Sequence, residues 1–283
     1  MFMKRIVLLV ICFLIVSIVI AGEDNYPVGA RSAALANSSV TLNDVWSTSQ
    51  NQAGLGFVRN YCIGVNYENK FLMKELSIKA AACALPVRGG TFGLFASNYG
   101  YSLYNESKYA LSFAKAFGEK LSIGVSMDYL NVRIGENYGQ KNMLVAEFGI
   151  ISKPLKNLTI GAHVYNPTRT KMVDYNHEYI PTIFRLGGNY SFSDKVLFLI
   201  ETEKDISQNP VFKTGLEYKP IKQFFLRVGV STNPTLSAFG FGVLLKSLQI
   251  DVSARYHQVL GFSSQLGLTY THRKNQNTST AEN

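Results

Sequence analysis

Leu121-Ser122-Ile123-Gly124-Val125-Ser126-Met127-Asp128-Tyr129 decides the fold. Apolar side chains hold every odd position and small or polar ones every even position. A helix has a period of 3.6 and would spread either set around its axis. A period of two belongs to a strand with one apolar and one polar face. The rhythm returns in Leu248, Ile250, Val252, Ala254 and Tyr256, set against Gln249, Asp251, Ser253, Arg255 and His257. It returns again in Phe224, Leu226, Val228 and Val230, opposite Phe225, Arg227, Gly229 and Ser231, and in Leu266, Leu268 and Tyr270, opposite Gln265, Gly267 and Thr269. Such runs predict strands near 61–67, 73–87, 91–101, 106–117, 121–134, 142–153, 158–166, 181–192, 196–204, 210–219, 224–231, 235–245, 248–257 and 263–272. That makes fourteen, an even number.

A soluble β-sandwich alternates too, so the connections have to discriminate. Every second joint is tight: Arg88-Gly89-Gly90, Gly118-Glu119-Lys120, Leu155-Lys156-Asn157, Ser193-Asp194-Lys195, Ile221-Lys222-Gln223 and Lys246-Ser247. The joints between them are mostly longer, and the longest runs from Asn166 to Ile180. Short turns on one side and longer loops on the other are the layout of an outer-membrane barrel. Tyr61, Tyr67, Tyr129, Tyr190, Phe192, Tyr218 and Tyr256 lie near strand ends in the outward phase, where an aromatic girdle belongs. In lipid an open sheet edge leaves backbone groups unpaired, so the barrel must close.

The N-terminus and the composition agree with that address. Lys4 and Arg5 precede an apolar run from Ile6 to Ile20, and Val19 and Ala21 suit signal peptidase. The run is too short for a spanning helix, and Cys12 lacks the small neighbours of a lipoprotein site. Cleavage near residue 22 removes two of the cations behind the formal charge of +9 and leaves Cys62 and Cys83. Two cysteines are too few for a disulfide scaffold. A hairpin centred near Asn69–Phe71 would pair Cys62 with about residue 78, which argues against a bridge. Only 17% of the chain is charged, and its cations are scattered, which excludes disorder, a coiled coil and a nucleic-acid footprint.

Residues Tyr26 to Arg59 are rich in small and polar types and do not alternate. They contain Gly29-Ala30-Arg31-Ser32-Ala33-Ala34-Leu35-Ala36, then Ser39-Val40-Thr41-Leu42-Asn43-Asp44, then Asn51-Gln52-Ala53-Gly54-Leu55. This resembles the N-terminal signature of the PorV/PorQ family within the FadL-like outer-membrane β-barrel superfamily, with Gln52 where that family usually carries Pro. The resemblance implies a fold of about 14 strands, a segment folded into the lumen as a small plug, and a plug turn at Asn51, Gln52, Ala53 and Gly54. It also implies a function as an accessory of type IX protein secretion that binds or hands over cargo at the outer membrane. The expected organisation is a signal peptide over 1–22, the plug over 23–60, an all-β transmembrane antiparallel barrel over 61–272, and a polar tail over 273–283.

Catalytic chemistry is not encoded in any recognisable motif. His163, His177, His257 and His272 form no metal-binding spacing, and neither a nucleophile elbow nor a phosphate loop occurs. The expectation is a non-enzymatic barrel with no cofactor. Its inward phase carries Lys79, Asp128, Glu147, Arg185, Glu201, Glu203, Lys213, Glu217, Arg227, Asp251 and Arg255. Both signs are interspersed, which suits a salt-bridged lumen better than an ion-selective constriction. Charge is therefore expected to be tolerated better at inward Ser126 than at outward Val125. The longest loop offers Arg169, Lys171, Tyr175, His177 and Tyr179, a mix suited to a protein partner. The expected surroundings are outer-membrane lipids, with type IX components or secreted cargo as partners. A FadL-like channel for small hydrophobic solutes and a purely structural barrel remain the alternative functions.

Overall fold

A computed structural model describes residues 25, 27–135, 139–173 and 178–272. The expected signal peptide and polar tail lie outside the described residues. Fourteen strands form one closed antiparallel barrel. They are β1 (Cys62–Asn69), β2 (Ser77–Val87), β3 (Gly90–Gly100), β4 (Tyr104–Phe117), β5 (Leu121–Ile134), β6 (Gly139–Leu155), β7 (Leu158–Tyr165), β10 (Ile183–Ser193), β11 (Val196–Asp205), β12 (Val211–Ile221), β13 (Phe224–Ser231), β14 (Leu236–Leu245), β15 (Leu248–His257) and β16 (Gly261–Thr271). Each barrel strand pairs with its sequence neighbour, and β1 closes onto β16, with Cys62 opposite Thr271 and Asn69 opposite Ser264. All six tight joints fall at the end where β1 begins and β16 ends. The longest loop forms a small ribbon of its own, β8 (Lys171–Val173) against β9 (Glu178–Tyr179), outside the barrel sheet. Among the described residues no helix is long and apolar enough to cross a membrane.

Exposure follows the alternation. In β5, Val125, Met127 and Tyr129 are exposed while Ser122, Ser126 and Asp128 are buried. The seven girdle aromatics are all exposed. Register explains one departure. Lys79 is exposed on the outer face, not in the lumen where the sequence placed it. The Ala-rich run Ala80-Ala81-Ala82 carries no alternation to set its phase. Outside, Lys79 joins a lateral polar row with Asn98, Ser107, Asn131 and Asn142. The next outward row is Ala81, Ala96, Tyr109, Tyr129 and Leu144, with the Tyr109 and Tyr129 rings 6.4 Å apart. Polar side chains thus give way to an apolar wall within one rung, as at the edge of a lipid-facing band.

The β1–β2 hairpin also differs from expectation. Strand β2 begins at Ser77, because Lys70–Leu72 and Lys74–Leu76 fold as two 3-10 turns that lengthen the connection. Cys62 therefore faces Ala84, and Ile63 faces Cys83. Adjacent residues of a strand point to opposite faces. Both thiols are free, Cys62 buried inside and Cys83 half-buried on the outer wall. The absence of a bridge stands, for a different reason.

Val125 lies on the outer wall between Phe113 and Phe148 and is 48% exposed. Val125→Arg is expected to lower stability by about 2–4 kcal/mol, the usual effect of a cation at the midplane of a barrel's lipid face. Urea unfolding in phosphatidylcholine vesicles measures it, and an unchanged midpoint would reverse the assigned faces. The inward neighbour is no safe control. Ser126 Oγ donates to Asp128 Oδ1 at 2.7 Å beneath a filled lumen, so the greater tolerance expected of inward positions does not extend to Ser126.

Candidate functional site: the filled lumen

Residues 27–58 lie inside the barrel, and Arg59 and Asn60 are exposed. Small residues let the segment fit. The helical turn Ala30–Ala34 is followed by Leu35 and Ala36, whose backbone rests so close to Gly229 of β13 that any side chain there would overlap it. Gly149 of β6 makes the same kind of room for the Asn51 carboxamide. The chain's single tryptophan, Trp46, is buried beside Val45 against the β1 wall at Gly64.

Wall carboxylates hold the segment. Arg31 makes a two-pronged contact with Glu217 of β12, at 3.0 and 2.9 Å, and reaches Asp44 of its own segment at 3.2 Å. Glu217 also accepts from Arg227 Nε at 2.6 Å, and Arg227 Nη1 donates to Asp251 Oδ1 at 2.6 Å. Alternating charges therefore run from β15 through β13 and β12 into the segment. Burial opposes the Arg31 charge, but Glu217 and Asp44 more than offset it, so its pKa rises. Burial pushes the Asp44 carboxyl up despite Arg31.

Two further clusters act alike. Glu201 Oε2 of β11 accepts the backbone N–H groups of Ser39 and Val40 at 2.7 and 2.8 Å. Lys213 ties Glu201 to Glu203 at 3.1 and 2.8 Å, and Arg185 Nε donates to Glu203 at 2.6 Å. On the adjoining wall, where His163 of β7 faces Arg185 of β10, Lys108 lies 2.7 Å from Asp128 and 2.8 Å from Glu147, while His163 Nε2 is 2.9 Å from Glu147 Oε2. Gln52 Nε2 donates to the same Glu147 oxygen at 2.5 Å. Such charge-assisted bonds are the stronger class of hydrogen bond.

The turn residues Asn51, Gln52, Ala53 and Gly54 are all buried. Asn51 Nδ2 donates to the Val40 carbonyl at 2.7 Å and to that of Ala162 on β7 at 3.3 Å, and its Oδ1 accepts from Ala53 N at 3.1 Å. The carboxamide thus supplies the turn, and the Gln52 side chain reaches the wall at Glu147. Of the expected lumen charges, Asp128, Glu147, Arg185, Glu201, Lys213, Glu217, Arg227, Asp251 and Arg255 are brought inside, and Arg255 pairs with Glu68. Sequence reasoning missed Arg31, Asp44, Glu68 and Lys108 as members. The signal existed for two of them: Glu68 follows outward Tyr67, and Lys108 precedes outward Tyr109.

The loop end divides into two regions. Under β4–β7 and β10, Leu130, Val132, Met143, Val145, Tyr165, Ile180 and Ile183 form a buried apolar cluster. Ile180 comes from the long loop, and Asn166 Nδ2 holds its carbonyl at 2.7 Å. Beside this cluster a cavity of about 380 Å³ opens between Lys70, Phe71, Tyr99, Leu236, Arg255 and His257. Of the proposed partner loop, Arg169, Lys171 and Tyr179 are exposed, with the Arg169 guanidinium 5.3 Å from the centre of the Tyr179 ring. Tyr175 and His177 lie outside the described residues.

No protein-family profile matches the chain, and no curated protein is similar to it in sequence. Solved structures are similar in fold. The Pseudomonas putida toluene transporter TodX superposes with a TM-score of 0.67 at 12% identity, over 89% of this chain and 100% of that one. The Ralstonia pickettii toluene transporter TbuX gives 0.64 at 13% identity, over 88% and 99%. A Pseudomonas aeruginosa FadL homologue gives 0.60 at 11% identity, over 86% and 96%. These likenesses bear on the superfamily part of the resemblance, and the PorV/PorQ part rests on the N-terminal motif. The chain forms a closed fourteen-stranded barrel and shares its fold with these three proteins.

Proposed function

We propose that this protein is a non-enzymatic barrel of a Gram-negative outer membrane, exported by the signal peptide, that admits small solutes with hydrophobic bodies. The supporting observation is the loop-end cavity, which sits above the N-terminal segment and is partly walled by Phe71, Ile183, Leu236 and Leu260. Its volume lies in the range usual for small-molecule sites, roughly 300–1,000 Å³. The similar folds of two toluene transporters favour the same reading. Beneath the cavity the segment blocks a straight path, so passage requires part of residues 27–58 to shift.

The test is uptake of labelled toluene by a Gram-negative host without its own hydrophobic-solute channel, with and without this protein in its outer membrane. Faster uptake is the expected result. Unchanged uptake by correctly folded protein would remove the channel reading. A second reading, an accessory of type IX secretion, is favoured by the motif residues Arg31, Asp44 and Asn51, all engaged in filling the lumen. It takes over if secretion components or cargo copurify with the folded barrel while uptake stays flat.

A further inference from the structure

Resting on the channel reading, one feature of the cavity narrows the solute. The charged groups at its floor, Lys213, Glu203 and Arg255, are already committed. Lys213 is bound to Glu201 and Glu203, Glu203 also to Arg185, and Arg255 to Glu68. Among the described residues Lys213 and Arg255, the cations at the cavity floor, each meet a carboxylate, so the floor gives an anionic head group no uncompensated charge to meet.

What the floor does leave uncommitted is hydrogen-bonding capacity. Asn37 Oδ1 and Arg255 Nε, both on residues that line the cavity, find no protein partner. Arg255 faces Ser263 across β15 and β16, and one rung deeper Ser253 faces Gln265. Ser253 Oγ and both amide atoms of Gln265 are likewise without a protein partner, and the two residues are 2% and 3% exposed. On β1, beside them, both amide atoms of Asn66 are in the same state. Buried polar groups are nearly always hydrogen-bonded. A cluster that offers donors and acceptors together, and leaves them unmet by the protein, is matched by a group that both donates and accepts. Above it, Phe71, Leu236 and Leu260 suit an apolar body.

We infer that the cavity binds a neutral amphiphile, an apolar chain or ring carrying a hydroxylated head, with that head directed toward Asn37, Arg255, Ser253 and Gln265. A carboxylate-headed solute of equal length binds less well.

The experiment uses the full mature chain in phosphatidylcholine nanodiscs and three probes: hexyl β-D-glucoside below its micellar concentration, hexanoate and toluene. Binding is read by titration calorimetry. The glucoside is expected to bind at least tenfold more tightly than hexanoate. The double variant Ser253→Ala/Gln265→Met should weaken glucoside binding at least tenfold and leave toluene binding unchanged. That variant keeps the fold, because it removes polar atoms the protein does not pair, a change that is neutral or stabilising when shape is kept. Glucoside affinity unchanged in the variant, or hexanoate bound as tightly as the glucoside, overturns the inference. If toluene is taken up while the glucoside fails to bind, this inference falls and the channel reading survives. If the glucoside binds with the expected variant effect while toluene uptake is flat, the channel reading falls and the site remains.

Discussion

Glu217→Ala is expected to lower stability by up to about 3–5 kcal/mol, the range for breaking a buried ion pair, because it removes the carboxylate that Arg31 and Arg227 share. Glu217 is the shared partner of Arg31 and Arg227, and Arg227 is 2% exposed. Arg227 would keep Asp251, but Arg31 would keep only Asp44, at the longer distance of 3.2 Å. Arg31→Ala is the informative comparison. It leaves Glu217 paired with Arg227, so its effect should be less than half as large. Urea unfolding in vesicles, followed by the loss of heat-modifiable mobility, measures both. If the two variants unfold at the same midpoint, Glu217 is not the junction described here.

Gly149→Val should dislodge the turn of the lumenal segment while sparing the barrel wall. The wall at Gly149 is filled by the Asn51 carboxamide, and a side chain there would overlap it. Asn51 cannot retreat without losing its bonds to Val40 and Ala162. Overpacking of this kind ordinarily costs about 1–3 kcal/mol, and more where the neighbour has no free space. The single Trp46 reports the outcome, since it is buried in the same segment. Its emission is expected to shift to the red in Gly149→Val, with an intermediate shift in Gly149→Ala. Wild-type emission together with a wild-type unfolding midpoint in Gly149→Val would contradict the placement of Asn51.

The barrel was legible because lipid outside and a polar lumen inside write two different chemistries onto alternate residues, as in β5 and β15. Where the two sides share a chemistry, the sequence falls silent. Leu130 and Val132 are inward although apolar, because Ile180 of the long loop packs over them. Nothing in the local pattern announces that. The alanines of β2 are small on both faces, and Lys79 was misplaced for that reason. The turn Asn51–Gly54 was readable as a turn. The reach of Gln52 to Glu147, across 95 residues, depends on how β6 folds round it and has no local signature.

Sequence distance also bears on how this molecule comes into being. Arg31 and Glu217 are separated by 186 positions, and Arg255 and Glu68 by 187. The seam between β1 and β16 joins nearly the first and last residues of the sheet. Contacts so remote along the chain make self-assembly slow, since a large loop must close before any of them repays the lost freedom. The N-terminal segment therefore reaches its partners only once the last strands are present. In the folded barrel residues 27–58 are enclosed like a mandrel, with strands β11 to β15 wrapped around Leu35, Ser39 and Arg31. Without that stretch the sheet would curl around an empty centre, and the buried wall carboxylates Glu201 and Glu217 would lose their contacts to it.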